Sequence, residues 1–338
     1  MLAVRHPDQP WWIAALFVAG IIHPTYLVTA WVLAGGLALA RAAGVVGWAG
    51  RAKAVAQVAG VAVVASIPGV VANRSPLRAA RGAGSGRANE ILADFRLPHH
   101  ANPGHWFEPA TAVLLVVVVL LLVLARRHGG TEARALADAM LATAGLSLVL
   151  SLLAIVADDP GIRLLFPWRA SIVVVPVAFA LGAALLAARA RVGELVAVVL
   201  VAGLAVSGVA RTADSIRHPV TDDGVVAVVR AHPPEGEGLV SPAEEDLRLN
   251  GGHPIYGDFK NHPFAPAAVI AWWQRYRESE RAMDSPEELC RLVEAHHEGW
   301  VVAPSFVVKD ARGRCLQGWV PLAVPGTDLV YLRRPAGS

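Results

Sequence analysis

The sequence is short of charge. Asp, Glu, Lys and Arg make up 17% of its 338 residues, whereas a soluble domain usually carries about 25%. The shortage is concentrated in six runs that contain none of these residues: 12–40, 54–72, 109–125, 139–157, 170–188 and 195–210. Their lengths are comparable to the roughly 17–25 residues that a helix needs to cross a bilayer. Six such runs cannot share one soluble core, so we predict an α-helical polytopic membrane domain with about six crossings.

Lysine is scarce as well. Only three lysines occur, so the net charge of +3 comes from arginines, which flank the apolar runs. The sequence has no basic cluster interleaved with aromatic residues, which argues against a nucleic-acid partner. We do not expect its first residues to be a secretory signal, because Asp8 and two prolines fall within residues 1–11 and the apolar stretch that follows is too long.

Proline divides the first apolar run. As one helix, residues 12–40 would measure roughly 45 Å, which is too long for a straight crossing. Pro24, preceded by His23, removes a helix hydrogen bond and kinks the chain. We therefore expect a short or re-entrant segment before Pro24 and a membrane helix after it.

The loops between the runs alternate in charge. Arginine or lysine concentrates in three short loops, 41–53, 126–135 and 189–194. Basic loops remain in the cytoplasm, so the loops 73–108 and 158–169 are expected on the outer side together with the carboxyl-terminal region. With one crossing in the first run, the amino terminus would begin outside. We therefore expect the chain to be a fragment, or a mis-started reading frame, whose upstream half is missing.

From residue 211 onward the composition is that of a soluble domain. Ser285-Pro-Glu-Glu288 is a capping box, which predicts a helix over about 286–298. A second helix is predicted over 266–281. Short apolar stretches predict strands at 239–240, 255–259, 300–303 and 329–332. This pattern indicates a small α/β extracytoplasmic domain over 211–338 that follows the transmembrane domain over 1–210.

Cysteine is nearly absent. The two cysteines, Cys290 and Cys315, both fall in the carboxyl-terminal domain. On the outer side of a membrane they could form a disulfide. The alternative is two free thiols, one on a helix and one near a strand, and the sequence leaves both states open.

One loop combines an arginine, three histidines, two prolines and a tryptophan directly before an apolar run: residues 96–106, RLPHHANPGHW. Three interpretations compete. In the first, the loop only anchors the chain at the membrane interface through Trp106 and Phe107. In the second, it binds a metal ion, although the spacing matches no helical HExxH motif. The ligands would then be His99, His100, His105 and Glu108.

The third interpretation is a site for an anionic headgroup. Arg96 can clamp a phosphate with two hydrogen bonds. His99 and His100 can donate hydrogen bonds to a phosphate or move a proton near neutral pH. Arg169, in the FPWR segment of the other outer loop, would face the same side.

Two acidic residues precede the FPWR segment. Asp158 and Asp159 could act as a base or hold a divalent cation, which is the one cofactor that the sequence suggests. Otherwise they are solvated residues at the end of a membrane helix. The candidate catalytic residues are therefore Asp158, Asp159 and His100.

These segments carry a resemblance. The RLPHH…P…W loop, the FPWR segment and the tail pattern SP…DLRLNGGHPIYGDFKNHPF…WWQRY resemble an uncharacterised family of bacterial polytopic membrane proteins, over roughly residues 12–338. That family resembles the C-type membrane glycosyltransferases, which use polyprenyl-phosphate sugars. The resemblance implies inverting transfer of a sugar, in which an acidic residue activates the acceptor. The phosphate would be held by Arg96, His99, His100 and Arg169.

The tail pattern singles out four residues of the outer domain: Asp258, Lys260, Trp272 and Arg275. They would place a strand end and a helix near the outer face of the membrane, or else serve the structure of the α/β domain.

The chain also departs from the C-type pattern, because it has no counterpart of the first outer loop that carries an acidic catalytic residue. If the chain is a fragment, we expect it to be inactive alone.

Two other functions stay open. A non-enzymatic membrane scaffold or envelope-assembly protein would use the outer domain to bind protein or glycan. A transporter is disfavoured because, apart from His23, the apolar runs lack the buried ionisable groups of an ion pathway. In either case we expect membrane lipid as a partner and the bacterial cytoplasmic membrane as the location.

Overall fold

The computed structural model describes most of the chain. The described residues are 10–75, 82–102, 108–189, 198, 202–203, 206, 208–213, 224–242, 247, 252–259, 263–296 and 298–335. The chain divides into two compact units, residues 1–208 and 209–338. Separate apolar clusters form the cores of the two units.

The first unit is built from long apolar helices. They are α1 (Pro24–Ala43), α2 (Trp48–Ala72), α3 (Pro109–His128), α4 (Thr131–Ala157) and α5 (Ser171–Arg189). Within the described residues, five helical segments are long and apolar enough to cross a membrane, the last of them running from Pro160 through most of α5. Five of the six apolar runs thus overlap a candidate membrane helix. The sixth run, 195–210, lies largely outside the described residues.

The first apolar run is divided where its proline predicts. A 3₁₀ helix, Pro10–Ile21, ends before His23, and α1 begins directly after His23. The ring Nδ1 of His23 caps α1 by accepting the backbone N–H of Thr25 at 3.3 Å. The side chain of Asn73, which follows α2, donates to the carbonyl of Gly20 at 2.9 Å and so fixes the end of the 3₁₀ helix.

Small residues let α1 pack closely against α4. A methyl group at Gly36 would overlap the Thr143 hydroxyl and would lie 2.7 Å from the Thr143 backbone nitrogen. Such close backbone approach is typical of membrane helices. The outward faces are aliphatic, with Val64 66% and Val156 83% exposed. Bare aliphatic faces on fully hydrogen-bonded helices suit hydrocarbon surroundings.

The second unit contains a four-stranded mixed sheet. Its elements are α6 (Gly224–Ala231), β1 (Gly238–Val240), α7 (Pro266–Ala282), α8 (Pro286–His296), β2 (Trp300–Pro304), α9 (Ser305–Arg312), β3 (Val320–Ala323) and β4 (Leu329–Arg333). The strand order is β1-β2-β4-β3, with β1 parallel to β2 and the other pairs antiparallel. Alternation along β2 sends Trp300 and Val302 into one buried cluster and Val301 and Ala303 into the other.

Both predicted helices of this unit are present. Ser285 Oγ accepts the Glu288 N–H at 3.3 Å, as the capping box requires. The strands predicted at 239–240, 300–303 and 329–332 are confirmed as β1, β2 and β4. The strand β3 is not predicted, because Pro321 interrupts its pattern, but proline is tolerated on an edge strand.

The strand prediction over 255–259 is wrong beyond its first residue. Ile255 forms one isolated bridge with Gly238. The residues that follow leave the sheet and pack on α7, where the Asp258 carbonyl accepts the Trp272 Nε1–H at 2.6 Å. The tertiary contact with α7 therefore replaces the pairing that the apolar pattern suggests.

The two cysteines are bonded to each other. Cys290 and Cys315 form a disulfide with their Cα atoms 5.4 Å apart. The bond joins α8 to the turn that follows α9. Of the two states that the sequence leaves open, the structure has the disulfide.

Candidate functional site

Two segments that connect the long helices of the first unit pack against each other. Residues 82–102 form three short helical turns, and residues 158–170 form two. Ala93 and Ala101 of the first segment are buried against Phe166 of the second. We call these two segments the loop cluster. Their contact places both loops at the same end of the helices.

A charged pair ties the two segments together. Arg163 Nη1 donates to Asp94 Oδ1 at 2.7 Å, and Nη2 lies 3.5 Å from Oδ2. The Arg163 side chain is 12% exposed, whereas the Asp94 side chain is 53% exposed, so the carboxylate side of the pair faces solvent. Charge-assisted hydrogen bonds of this kind are among the stronger ones. The pair therefore fixes how the segments align.

Arg169 is held by the amino-terminal end of α1. Its Nη1 donates to Thr25 Oγ1 at 2.7 Å. Its guanidinium carbon also lies 5.2 Å from the centre of the Phe166 ring, a cation–π distance. Phe166 has a left-handed backbone, with φ of 49°, which is costly for a bulky residue. The strained turn brings the aromatic ring against the guanidinium.

The Thr25 hydroxyl that accepts from Arg169 also orients the ring of His23. Thr25 Oγ1 lies 2.9 Å from His23 Nδ1. Because an arginine side chain can only donate, Thr25 Oγ1 accepts from Arg169 and directs its own hydrogen to His23 Nδ1. Nδ1 is then an acceptor, and the ring hydrogen resides on Nε2. His23 and Thr25 are not among the predicted site residues, and the break before Pro24 is the sequence signal that could have found them.

The acidic candidates lie where α4 ends. Asp159 Oδ1 accepts the backbone N–H groups of Gly161 at 2.7 Å and Ile162 at 3.2 Å, so it caps the next helical turn. Asp158 adopts a left-handed backbone, with φ of 45°, and is exposed. Asp159 therefore already serves the fold, whereas Asp158 presents its carboxylate at the surface.

The RLPHH stretch forms two of the short turns. Arg96 is half-buried at the end of the turn Ile91–Arg96, and His99 is exposed in the next turn. The side chain of His100 and the whole of His105 lie outside the described structure, so the metal interpretation that uses them is untested. Among the residues that are described, no group of three or more His, Cys, Asp or Glu could hold a metal ion.

A cavity of about 340 Å³ lies between α3, α4 and α5. Its walls are mostly aliphatic, and among the lining residues are Val118, Ser147, Leu148, Ser151, Trp168 and Val174. The Ser147 hydroxyl is buried and has no hydrogen-bond partner within the described residues. The volume falls in the range of small-molecule pockets. Trp168, at the wall of the cavity, directly precedes Arg169. The cavity is not predicted from the sequence, where only the serines within the apolar runs hint at it.

The predicted residues of the second unit lie on α7 and in the segment before it. Asp258 and Trp272 are buried and bonded to each other as described above. Arg275 is exposed, and Lys260 lies outside the described residues. The hydrogen bond between Trp272 and the Asp258 carbonyl attaches the segment 252–259 to α7.

A further polar group joins the same segment to two helices. The Tyr256 hydroxyl donates to Glu278 Oε2 at 2.7 Å and lies 3.1 Å from His296 Nε2. Burial, with the hydrogen bond to the Glu278 carboxylate, raises the pKa of Tyr256 well above its ordinary value. The phenol therefore keeps its hydrogen and links the segment to α7 and α8.

Comparison with known proteins bears only on the second unit. A family model described as a domain of unknown function, DUF6798, matches residues 223–279. The matched region begins one residue before α6, includes β1 and the whole of the tail pattern, and ends within α7. It covers much less than half of the chain. No curated protein and no solved structure matches the chain.

Proposed function

We propose that the protein binds a phosphate-bearing polyprenyl lipid at the loop cluster and uses it as the donor in a glycosyl transfer. The observation that carries the proposal is the adjacency of an apolar cavity and a fixed cation. Trp168 lines the cavity between α3, α4 and α5, and Arg169 follows it directly. In this proposal the hydrocarbon chain occupies the cavity and its phosphate lies in the loop cluster, to which Arg169 belongs.

The arginines suit a phosphate better than other groups would. A guanidinium offers five donors in a planar fork that matches phosphate oxygens. Arg169 is positioned by Thr25, so less conformational freedom is lost when a ligand binds. The amino-terminal end of α1, which contains Thr25, adds the positive end of a helix dipole. Arg96, His99 and His100 would contribute further donors from the other segment of the loop cluster.

The proposed reaction is an inverting displacement. The acceptor hydroxyl oxygen attacks the anomeric carbon and forms the new glycosidic bond. The bond between that carbon and the phosphate oxygen breaks, and polyprenyl phosphate leaves with the electron pair. Asp158 takes the acceptor proton, because Asp159 Oδ1 is engaged with two backbone amides. The arginines stabilise the charge that develops on the leaving phosphate.

The proposed location is the bacterial cytoplasmic membrane, with the loop cluster and the second unit on its outer side. Arginine-rich loops at 41–53 and 126–135 support a cytoplasmic position for the opposite ends of the helices. The disulfide between Cys290 and Cys315 supports an oxidising compartment for the second unit.

Native mass spectrometry of the protein purified in nanodiscs tests the binding step. We expect polyprenyl phosphate to co-purify or to bind on addition, and polyprenol without phosphate to bind weakly. Arg169→Ala should lower the affinity by about 10- to 100-fold, the effect of removing one charged hydrogen-bonding partner. His100→Ala should also weaken binding.

The matched control is Arg127→Ala, since Arg127 is an exposed arginine at the far end of α3. It should bind polyprenyl phosphate as the wild type does. If wild type and Arg169→Ala retain the same ordinary phospholipids and neither prefers polyprenyl phosphate, the headgroup site does not exist and the loop is an interfacial anchor.

A non-enzymatic scaffold is the second candidate, and the engagement of Asp159 as a helix cap favours it. A scaffold would bind the lipid without turnover. Incubation with a labelled polyprenyl-phosphate sugar and acceptor glycans distinguishes the two. Transfer that Asp158→Asn abolishes supports the transferase, whereas binding with no transfer by the wild type supports the scaffold.

A further inference from the structure

The second unit contains a carboxylate in an unfavourable position. Glu298 lies two residues before the start of β2 and is 1% exposed. Within the described residues, neither of its carboxylate oxygens has a hydrogen-bond partner. Burying an ionised carboxylate without donors is costly, and the cost disappears when the group takes up a proton.

The surroundings of Glu298 form a junction of three chain segments. The Gly299 N–H donates to the Glu237 carbonyl at 2.9 Å, and the Arg334 N–H donates to the Gly299 carbonyl at 3.0 Å. The Trp300 indole donates to the Gly236 carbonyl at 3.3 Å. A methyl group at Gly299 would overlap the Glu235 carbonyl, so the segments are in close contact there.

Glu298 has charged neighbours of both signs. Glu237, from the segment before β1, adds a second negative charge, and Arg334, after β4, supplies a positive one. The Arg334 guanidinium also lies over the Trp319 ring, 5.5 Å from its centre. His253 lies against the neighbouring Trp300, with ring centres 6.3 Å apart. Burial first, and then Glu237, raise the pKa of Glu298 to about 7.

We infer that Glu298 is a proton-operated latch, which closes the junction between residues 235–238, β2 and Arg334 when protonated and loosens it when ionised. The proton neutralises a carboxylate to which no described residue donates a hydrogen bond. Loss of the proton places a bare carboxylate beside Glu237. The backbone hydrogen bonds at Gly299 then open to admit water.

The direction of the pH effect follows from where the proton binds more tightly. The folded junction holds the proton with a pKa of about 7, above the ordinary value of 4.5. The contribution of the Glu298 carboxyl group to the stability of the closed junction is therefore fully present below pH 4.5, and it is lost as the pH rises through 7. Between pH 5.5 and pH 8, the opening constant of the junction should rise at least about tenfold.

Hydrogen–deuterium exchange of the full chain in nanodiscs measures this opening. The informative peptides cover residues 298–304 and 329–335, with rates corrected for the intrinsic pH dependence of exchange. We expect protection to fall at least tenfold between pH 5.5 and pH 8 in the wild type. Glu298→Gln should remove the change, because the amide does not ionise. Glu294→Gln, at an exposed position of α8 outside the junction, should behave as the wild type.

A wild type whose corrected protection is the same at both pH values overturns the latch. So does a Glu298→Gln variant that keeps the pH dependence. Should Glu298→Gln fail to fold, a carbon-13 titration of the glutamate carboxyls in the wild type decides the matter. A buried carboxyl that titrates near pH 7 supports the latch, and the absence of such a signal refutes it.

Discussion

At the scale of single residues, the hydroxyl group of Thr25 determines how two other side chains are held. One hydroxyl accepts from Arg169 and donates to His23, so it sets the direction of a cation and the tautomer of an imidazole. An aliphatic side chain of similar shape would fill the same space without either bond. The proposed headgroup site can therefore be tested through a residue that need not touch the ligand.

Thr25→Val should weaken binding of polyprenyl phosphate about three- to tenfold. The reason is the loss of one hydrogen bond that orients Arg169, with a net value of roughly 1 kcal/mol. Native mass spectrometry gives the affinities, and the thermal unfolding temperature in detergent reports folding. Thr25→Ser keeps the hydroxyl and should bind as the wild type does. Equal affinities for Thr25→Val and the wild type would mean that Thr25 does not position Arg169 for this ligand.

Only part of the candidate site can be predicted from residues in the sequence. The chemistry of Arg169 is evident from its type and from its place before an apolar run. Its partner Thr25 is 144 positions away, and their contact depends on how α1 lies beside residues 167–170. The cavity is likewise a product of helix packing, because the lining residues belong to separate helices. Pairings at this distance follow from the tertiary fold and leave no local pattern.

At the scale of elements, α1 and α4 approach each other most closely at Gly36, where an added methyl group would meet the Thr143 backbone. Gly36→Ala should destabilise the first unit by about 1–3 kcal/mol, because the added methyl group overlaps Thr143 and the two helices must separate. Gly60→Ala in α2 is the matched control, since a methyl group there meets nothing within 4 Å. It should be neutral or stabilising by up to about 1 kcal/mol.

Thermal unfolding in detergent, followed by circular dichroism at a helical wavelength, compares the two glycine variants. A Gly36→Ala protein as stable as Gly60→Ala would show that α1 and α4 are not closely packed in the membrane protein.

The helices themselves can be predicted from the sequence, because long apolar runs bounded by proline or arginine have few alternative structures. The strands are less predictable: after Tyr256, whose N–H still donates to the Gly238 carbonyl of β1, the segment packs against α7 instead of continuing in the sheet.

At the scale of the whole molecule, the two cysteines report which side of the membrane the second unit occupies. No free cysteine is present, so an impermeant maleimide should leave the wild type unlabelled in intact spheroplasts. Labelling should appear after mild reduction. The variant Cys290→Ser leaves Cys315 unpaired and should be labelled without reduction. Labelling of this variant only after lysis would put the second unit in the cytoplasm and invert the proposed arrangement.

The pairing of β1 extends beyond the region that matches the domain of unknown function. The matched region, residues 223–279, contains β1, but the strand that pairs with it, β2, begins at Trp300. The disulfide between Cys290 and Cys315 also lies after the matched region. The matched region thus ends before the strand and the disulfide that complete the surrounding structure. A chain cut at residue 279 would keep the whole matched sequence but would lose β2, the strand with which β1 pairs.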